Sequence, residues 1–190
     1  LMCASNTFLF SEPHGQEPRV IHEMWDNNMH LMKFGKQLKA GEIYRFSVAG
    51  TSITSAHHDD PLNEAERMTI FAKLEGRERL INFHNKAWDE LWKSDIRIEG
   101  DEQAQQDVHS MMYHLYSFVR EGTALSPSPM GLSGLGYNGH VFWDTELLMY
   151  PAILVLHPEM AKSLVEYRFQ RLEAARRNAF NHGYKGAMFP

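Results

Sequence analysis

The sequence predicts a mainly α chain that opens with a short β part, and three observations carry this. Apolar residues first recur at every second position, later recur at helical spacing, and Asp59-Asp60-Pro61 marks the change of period. Tyr44, Phe46 and Val48 alternate with Arg45 and Ser47, as in a half-buried strand. Lys39-Ala40-Gly41-Glu42 reads as a turn, so a hairpin is expected within residues 30–50, with Phe8-Leu9-Phe10 as another strand.

Asp60 is suited to cap the first helix and Pro61 to take its first position, with Glu64 and Glu66 complementing the helix dipole. Its apolar face, Leu62, Ala65, Met68 and Ala72, leads to Gly76, a natural stop. A second helix gathers Leu80, His84, Ala87, Trp88, Leu91 and Trp92 on one side. In the third, over residues 101–120, Ala104, Val108, Met111, Leu115, Phe118 and Val119 keep helical spacing. It ends by Gly122, since Pro127 and Pro129 lack amide donors and bias their neighbours towards extended geometry. A long loop then runs to Asp144. Beyond it Leu147, Leu148, Tyr150 and Ile153 to Leu156 are apolar nearly all round, which predicts a buried inner helix that Pro151 kinks or splits. His157-Pro158 turns the chain, and residues 159–179 read as one amphipathic helix with Leu164, Val165, Leu172 and Ala175 inward.

With 190 residues, 43% hydrophobic and 23% charged, the chain has the composition of a folded protein. A net charge of −5 argues against a nucleic-acid or anionic-membrane surface, because both need a basic face. No apolar stretch approaches the roughly 20 residues of a membrane span. The lone Cys3 permits no internal disulfide and leaves the compartment undecided.

The densest chemistry lies in Gly136-Tyr137-Asn138-Gly139-His140-Val141-Phe142-Trp143-Asp144-Thr145-Glu146. Aromatic rings beside carboxylates suit a polar ligand with flat apolar faces. A sugar fits this best, because an indole stacks on a pyranose while a carboxylate accepts hydrogen bonds from its hydroxyls. A structural reading stands beside it, with Asp144 as a helix N-cap and Trp143 packed in a core.

From Tyr113 onward the chain resembles glycoside hydrolase family 65, the α-glucoside phosphorylases and hydrolases. The matching residues are Tyr113-His114-Leu115, Gly131-Leu132-Ser133, the cluster from Gly136 to Glu146, Met149-Tyr150-Pro151, Tyr167-Arg168, Arg171 to Ala175, and Gly183-Tyr184-Lys185-Gly186-Ala187-Met188-Phe189-Pro190. The resemblance implies an architecture in three parts. Residues 1–52 are expected to end an N-terminal β-sandwich, 53–98 to form a helical linker, and 99–190 to begin an (α/α)6 barrel.

It also implies roles. Trp143 and Asp144 match the pair that holds the terminal glucosyl residue, and Tyr137 and His140 are expected to line the same pocket. In the family, the motif ending at Phe189-Pro190 continues into a Trp-Glu pair, and the general acid glutamate comes later. No catalytic residue is therefore expected in this chain, which reads as an internal piece of a larger enzyme. The implied reaction is inverting cleavage of an α-linked glucosyl disaccharide or oligosaccharide without a cofactor. Water is the nucleophile in a hydrolase; inorganic phosphate is the co-substrate in a phosphorylase. The loop from Ser126 to Ser133 looks closer to the hydrolase branches. A non-catalytic sugar-binding module is the third reading, and a homodimer remains open.

Other patterns carry less. Gly134-Leu135-Gly136-Tyr137-Asn138-Gly139 matches the dinucleotide fingerprint literally, but no apolar strand precedes it. His57-His58-Asp59-Asp60 reads as a solvated loop rather than a metal site, since adjacent residues rarely converge on one ion. Trp88 and Trp92, and Met111 and Met112, read as core. Arg168, Arg171, Arg176 and Arg177, interleaved with Glu166 and Glu173, read as a solvated face of ion pairs.

Overall fold

The computed structural model describes residues 1–25, 29–134 and 136–189. It is mainly helical with a small β part and divides into two units, Leu1–Trp88 and a second from Asp89 onward. In the first unit β1 (Met2–Leu9) pairs antiparallel with β4 (Ser47–Thr54), from Met2↔Thr54 to Leu9↔Ser47. β2 (Ile21–Trp25) pairs antiparallel with β3 (Met29–Lys33).

The expected hairpin within 30–50 is therefore replaced. The paired strands are Ile21–Trp25 and Met29–Lys33, while Tyr44 and Phe46 precede β4 in irregular chain. The Lys39–Glu42 turn does form, with Glu42 N donating to Lys39 O at 3.1 Å. The aromatic rings explain the difference. Phe34 takes edge-on contacts from Phe8, Phe10 and Phe46 at 4.8–4.9 Å, so Phe46 serves a ring cluster rather than a sheet face. The alternation also has the opposite phase: Val48 is exposed, and Ser47, Ala49, Thr51 and Ile53 point to the covered side.

Those small residues let α1 (Pro61–Leu91) approach β4 closely. Thr51 Oγ1 lies 2.9 Å from both Ala65 O and Thr69 Oγ1. The buried positions on α1 are accordingly Pro61, Ala65, Thr69 and Ala72, whereas Leu62 and Met68, assigned to this face by spacing alone, are exposed. Asp60 caps as expected, with Asn63 N donating to Oδ1 at 3.2 Å. Gly76 interrupts the helix at φ 74°, ψ 165°, a conformation that only glycine adopts without strain.

In the second unit Asp101 caps α2 (Glu102–Phe118) by accepting from Ala104 N at 3.0 Å. The inward stripe is Met112, Tyr116 and the following Val119; Met111 is exposed, one helical position out of phase. Tyr116, 1% exposed, meets Trp92 edge-on at 5.5 Å and His157 at 4.7 Å, and its hydroxyl donates to Ser94 O at 3.2 Å. His157 Nε2 lies 3.0 Å from Leu91 O, and Trp92 is half-buried, edge-on to the His109 and Tyr116 rings, rather than fully in the core.

A π turn (Thr145–Met149) leads into α3 (Tyr150–Leu156), with Pro151 in the first turn of α3 rather than inside a continuous helix. Among the described residues, α3 does not show the all-round burial that its composition suggests. Ile153 is fully buried, but Leu147, Leu148, Leu154 and Val155 are exposed. The single helix expected over 159–179 is two, α4 (Pro158–Gln170) and α5 (Leu172–Asn181). Arg171 makes the break. Its Nη1 donates to Tyr167 O at 3.1 Å, the carbonyl that its own amide would take in a continuing helix, and that amide bonds Arg168 O instead. Leu164 and Ala175 face inward as expected, while Val165 is exposed. None of the described helices is long and apolar enough to cross a membrane.

Replacing Tyr116 by Ala is expected to destabilise the protein by about 4 kcal/mol through the cavity left among Trp92 and His157, read as a lowered urea midpoint in tryptophan fluorescence. A second expectation concerns charge. Glu12 accepts from Lys36 Nζ at 2.6 Å and from Tyr44 OH at 2.7 Å, which holds its carboxyl below the usual range. Burial, and then the bond to Glu12, push the Tyr44 phenol up to about 12. The Glu12 contribution is present above the unfolded carboxylate pKa and is lost as pH falls through the lowered folded value; the Tyr44 contribution is present below the unfolded phenol value and is lost as pH rises through about 12. Burial raises the Tyr116 phenol as well, so ultraviolet titration should show late-ionising phenols from both residues, of which Glu12→Gln brings only the Tyr44 share back towards the ordinary range.

Candidate carbohydrate-binding site

The loop from Val119 to Asp144 is fixed from below before it presents any chemistry. Pro127 and Ser128 are buried, and Thr145 Oγ1, with Thr145 1% exposed, donates to Pro127 O at 3.1 Å. Gly131 has φ 52°, and a Cβ there would stand 2.4 Å from the Phe118 ring, so the loop crosses α2 only because this residue lacks a side chain.

Gly136–Gly139 then form a short 3-10 turn in which Tyr137 and Asn138 hold left-handed dihedrals, φ 57° and 50°. Such a conformation is uncommon for a bulky residue and costs of order 1 kcal/mol. It is held by His140 N donating to Tyr137 O at 2.9 Å and by ring contacts onto Phe142, from Tyr137 at 5.6 Å and His140 at 6.3 Å. Tyr137 and His140 are thus brought to one ring next to Trp143. No strand leads into this turn and no α-helix opens from it, so the dinucleotide geometry is absent from the described residues, Leu135 lying outside them.

Trp143 is 60% exposed, which overturns the reading of it as core. Asp144 is not the N-cap that the sequence suggests. Its dihedrals are already helical, φ −53° and ψ −37°, and its side chain makes no cap hydrogen bond. The helical bonding starts earlier, with Leu147 N donating to Trp143 O at 3.1 Å and Thr145 N to Phe142 O at 3.4 Å. Among the described residues the Asp144 carboxylate has no side-chain partner. The next turn is a π turn, with Tyr150 N bonded to Thr145 O, an irregularity frequent at functional sites.

Arg168, expected on a solvated face, is the main correction. Its side chain is only 15% exposed. Nε donates to Glu146 Oε1 at 2.7 Å, and Nη2 donates to both Glu146 Oε2 and Phe142 O at 3.0 Å. The guanidinium also lies 5.2 Å from the Phe189 ring centroid. Nothing local in the sequence foretells this, since Glu146 and Arg168 sit on different elements; only the resemblance sets Tyr167-Arg168 apart. Arg171 stacks on the Tyr167 ring at 3.8 Å, and Arg176 pairs with Glu173 on the exposed face as expected. Tyr167, Arg168, Arg171, Asn178, Met188 and Phe189 line a concavity of about 290 Å³; the Pro190 that follows lies outside the described residues.

No group of three or more His, Cys, Asp or Glu among the described residues is placed to hold a metal ion. His57 and His58 are exposed, their amides turned onto Thr54 O at 3.2 and 3.3 Å. The arrangement that remains is a pinned loop presenting an open indole, an unpaired carboxylate and two further rings, the chemistry of a sugar subsite.

Residues 109–190 match the model of the glycosyl hydrolase family 65 central catalytic domain. The chain is 68% identical over 189 residues to a kojibiose hydrolase from Mucilaginibacter mallensis and 61% identical to a kojibiose hydrolase from Flavobacterium johnsoniae, each match covering 100% of this chain and 28% of the relative. A kojibiose phosphorylase from Thermoanaerobacter brockii is 45% identical over 194 residues, covering 93% of this chain and 25% of that protein. The chain thus spans about a quarter of the length of these curated relatives. Residues 109–190 are thus similar to the central catalytic domain of glycoside hydrolase family 65, as the sequence motifs imply.

Proposed function

We propose that the protein containing this chain is an inverting α-glucoside hydrolase that releases glucose from the non-reducing end of kojibiose or a related α-linked saccharide. The observation that carries this is the unpartnered Asp144 carboxylate beside the exposed Trp143 indole, held on a loop fixed from behind. Trp143 stacks on the glucosyl ring, Asp144 accepts hydrogen bonds from its hydroxyls, and Tyr137 and His140 line the same pocket. Bonds of this kind strengthen as positive charge develops at the anomeric carbon and supply several kcal/mol in glycosidases. The general acid that protonates the glycosidic oxygen is a glutamate beyond these residues. Water attacks from the opposite face.

In this reading residues 99–190 begin an (α/α)6 barrel, 53–98 form a helical linker and 1–52 end a β-sandwich. The exposed Leu147, Leu148, Leu154 and Val155 support the barrel, since an inner helix buries such side chains against neighbours that a quarter-length stretch does not contain. Phosphorolysis, with phosphate in place of water, is the second reading, supported by the 45% identity to a kojibiose phosphorylase. Hydrolysis is preferred because identity to the two kojibiose hydrolases is 68% and 61%.

Proton NMR of the full-length protein acting on kojibiose, trehalose, maltose and nigerose, with and without inorganic phosphate, tests the proposal. The expected result is β-glucose released without phosphate, fastest from kojibiose. Strict phosphate dependence with β-glucose 1-phosphate as product would replace hydrolysis by phosphorolysis.

A further inference from the structure

We propose that Arg168 is a positioning residue for the glucosyl subsite, holding the Trp143-Asp144 segment and the Phe189 segment in register with one guanidinium. This rests on the sugar-binding reading of Trp143 and Asp144. Three hydrogen bonds bracket that pair: Phe142 O precedes it, the Glu146 carboxylate follows it, and both are bound by the same Nη2 at 3.0 Å. The residues between are therefore spanned by one rigid planar group. The Nε bond to Glu146 at 2.7 Å makes the contact bidentate and fixes the tilt of that plane. Phe189 lies 5.2 Å from the guanidinium and Tyr167 lies 5.6 Å from it, so the cation also meets the C-terminal segment.

A solvated ion pair would not need this geometry. Exposed pairs such as Arg176 with Glu173 join neighbouring turns of one helix and hold nothing else. Arg168 instead joins α4 to the π turn, to the chain ahead of it and to the last described residues. Lysine keeps the charge but has neither the fork nor the flat face, so it can replace the pairing without replacing the alignment. The pairing also neutralises Glu146, which otherwise stands as a second anion two positions from Asp144.

The test uses the full-length protein with Arg168→Lys and Glu146→Gln, assayed on kojibiose. For Arg168→Lys, kcat is expected to fall about 100-fold, the size of loss that a misplacement of about 1 Å brings. KM should change less than fivefold and the far-ultraviolet circular dichroism should be unchanged. Glu146→Gln retains an acceptor for the guanidinium and should lose about tenfold in kcat, again with little change in KM. Wild-type kcat in either variant overturns the positioning role, as does a loss confined to KM. If Arg168→Lys fails to fold, Glu146→Gln decides alone by the same criterion. If the unmodified protein consumes no α-glucoside, the sugar-binding reading fails and the role falls with it; an active protein with indifferent variants overturns the role alone.

Discussion

The second unit depends on one side-chain fork. The Arg168 guanidinium closes a ring of hydrogen bonds around Glu146 and Phe142 O, and with it the start of the π turn is tied to α4. A bidentate charge pair belongs to the strong class of polar contacts, and here loss of the partly exposed Glu146 carboxylate leaves the largely buried Arg168 guanidinium poorly solvated. The remaining ion pairs on the helices, such as Arg67 with Glu64, are exposed neighbours three residues apart and contribute little. Thr145 reinforces the fork from the other side by bonding Pro127 O, so the loop is gripped at its middle and at its end.

Small residues make the close approaches possible. Gly131 clears the Phe118 ring where any Cβ would collide, and in the first unit Ala65 and Thr69 let Thr51 reach the α1 backbone. In both places a short side chain sets a distance that a longer one would widen, so local sequence acts on packing. In the second unit the consequence is that the backbone of the candidate site is held in part by the Gly131 crossing. Trp143 and Asp144 are spared structural duties and remain open towards solvent.

The features legible in the sequence are those set by near neighbours. Asp60 caps its helix, Gly76 stops one and His157-Pro158 turns the chain, because each depends on only a few consecutive residues. Features set by distant partners were not legible. The pairing of β1 with β4, the displacement of Phe46 into a ring cluster and the choice of Met112 over Met111 all depend on what arrives across space. The break at Arg171 depends on a side chain competing for a helical carbonyl, which periodicity does not register. The site divides in the same way. Its ring-and-carboxylate cluster stands out in eleven residues, whereas Arg168 acts across a gap that no spacing rule spans, and Asp144 looks like a cap until the earlier helix start is seen.

If the Asp144 carboxylate serves a ligand and not the fold, its charge is dispensable for stability and indispensable for turnover. The most direct measurement is kcat/KM on kojibiose, together with the thermal midpoint, for full-length protein carrying Asp144→Asn. The account predicts a loss of at least 100-fold in kcat/KM, the scale set by about 3 kcal/mol of transition-state hydrogen bonding, with the midpoint unchanged. Turnover equal to that of the unmodified protein, or a loss of activity that follows a lowered midpoint, would contradict it.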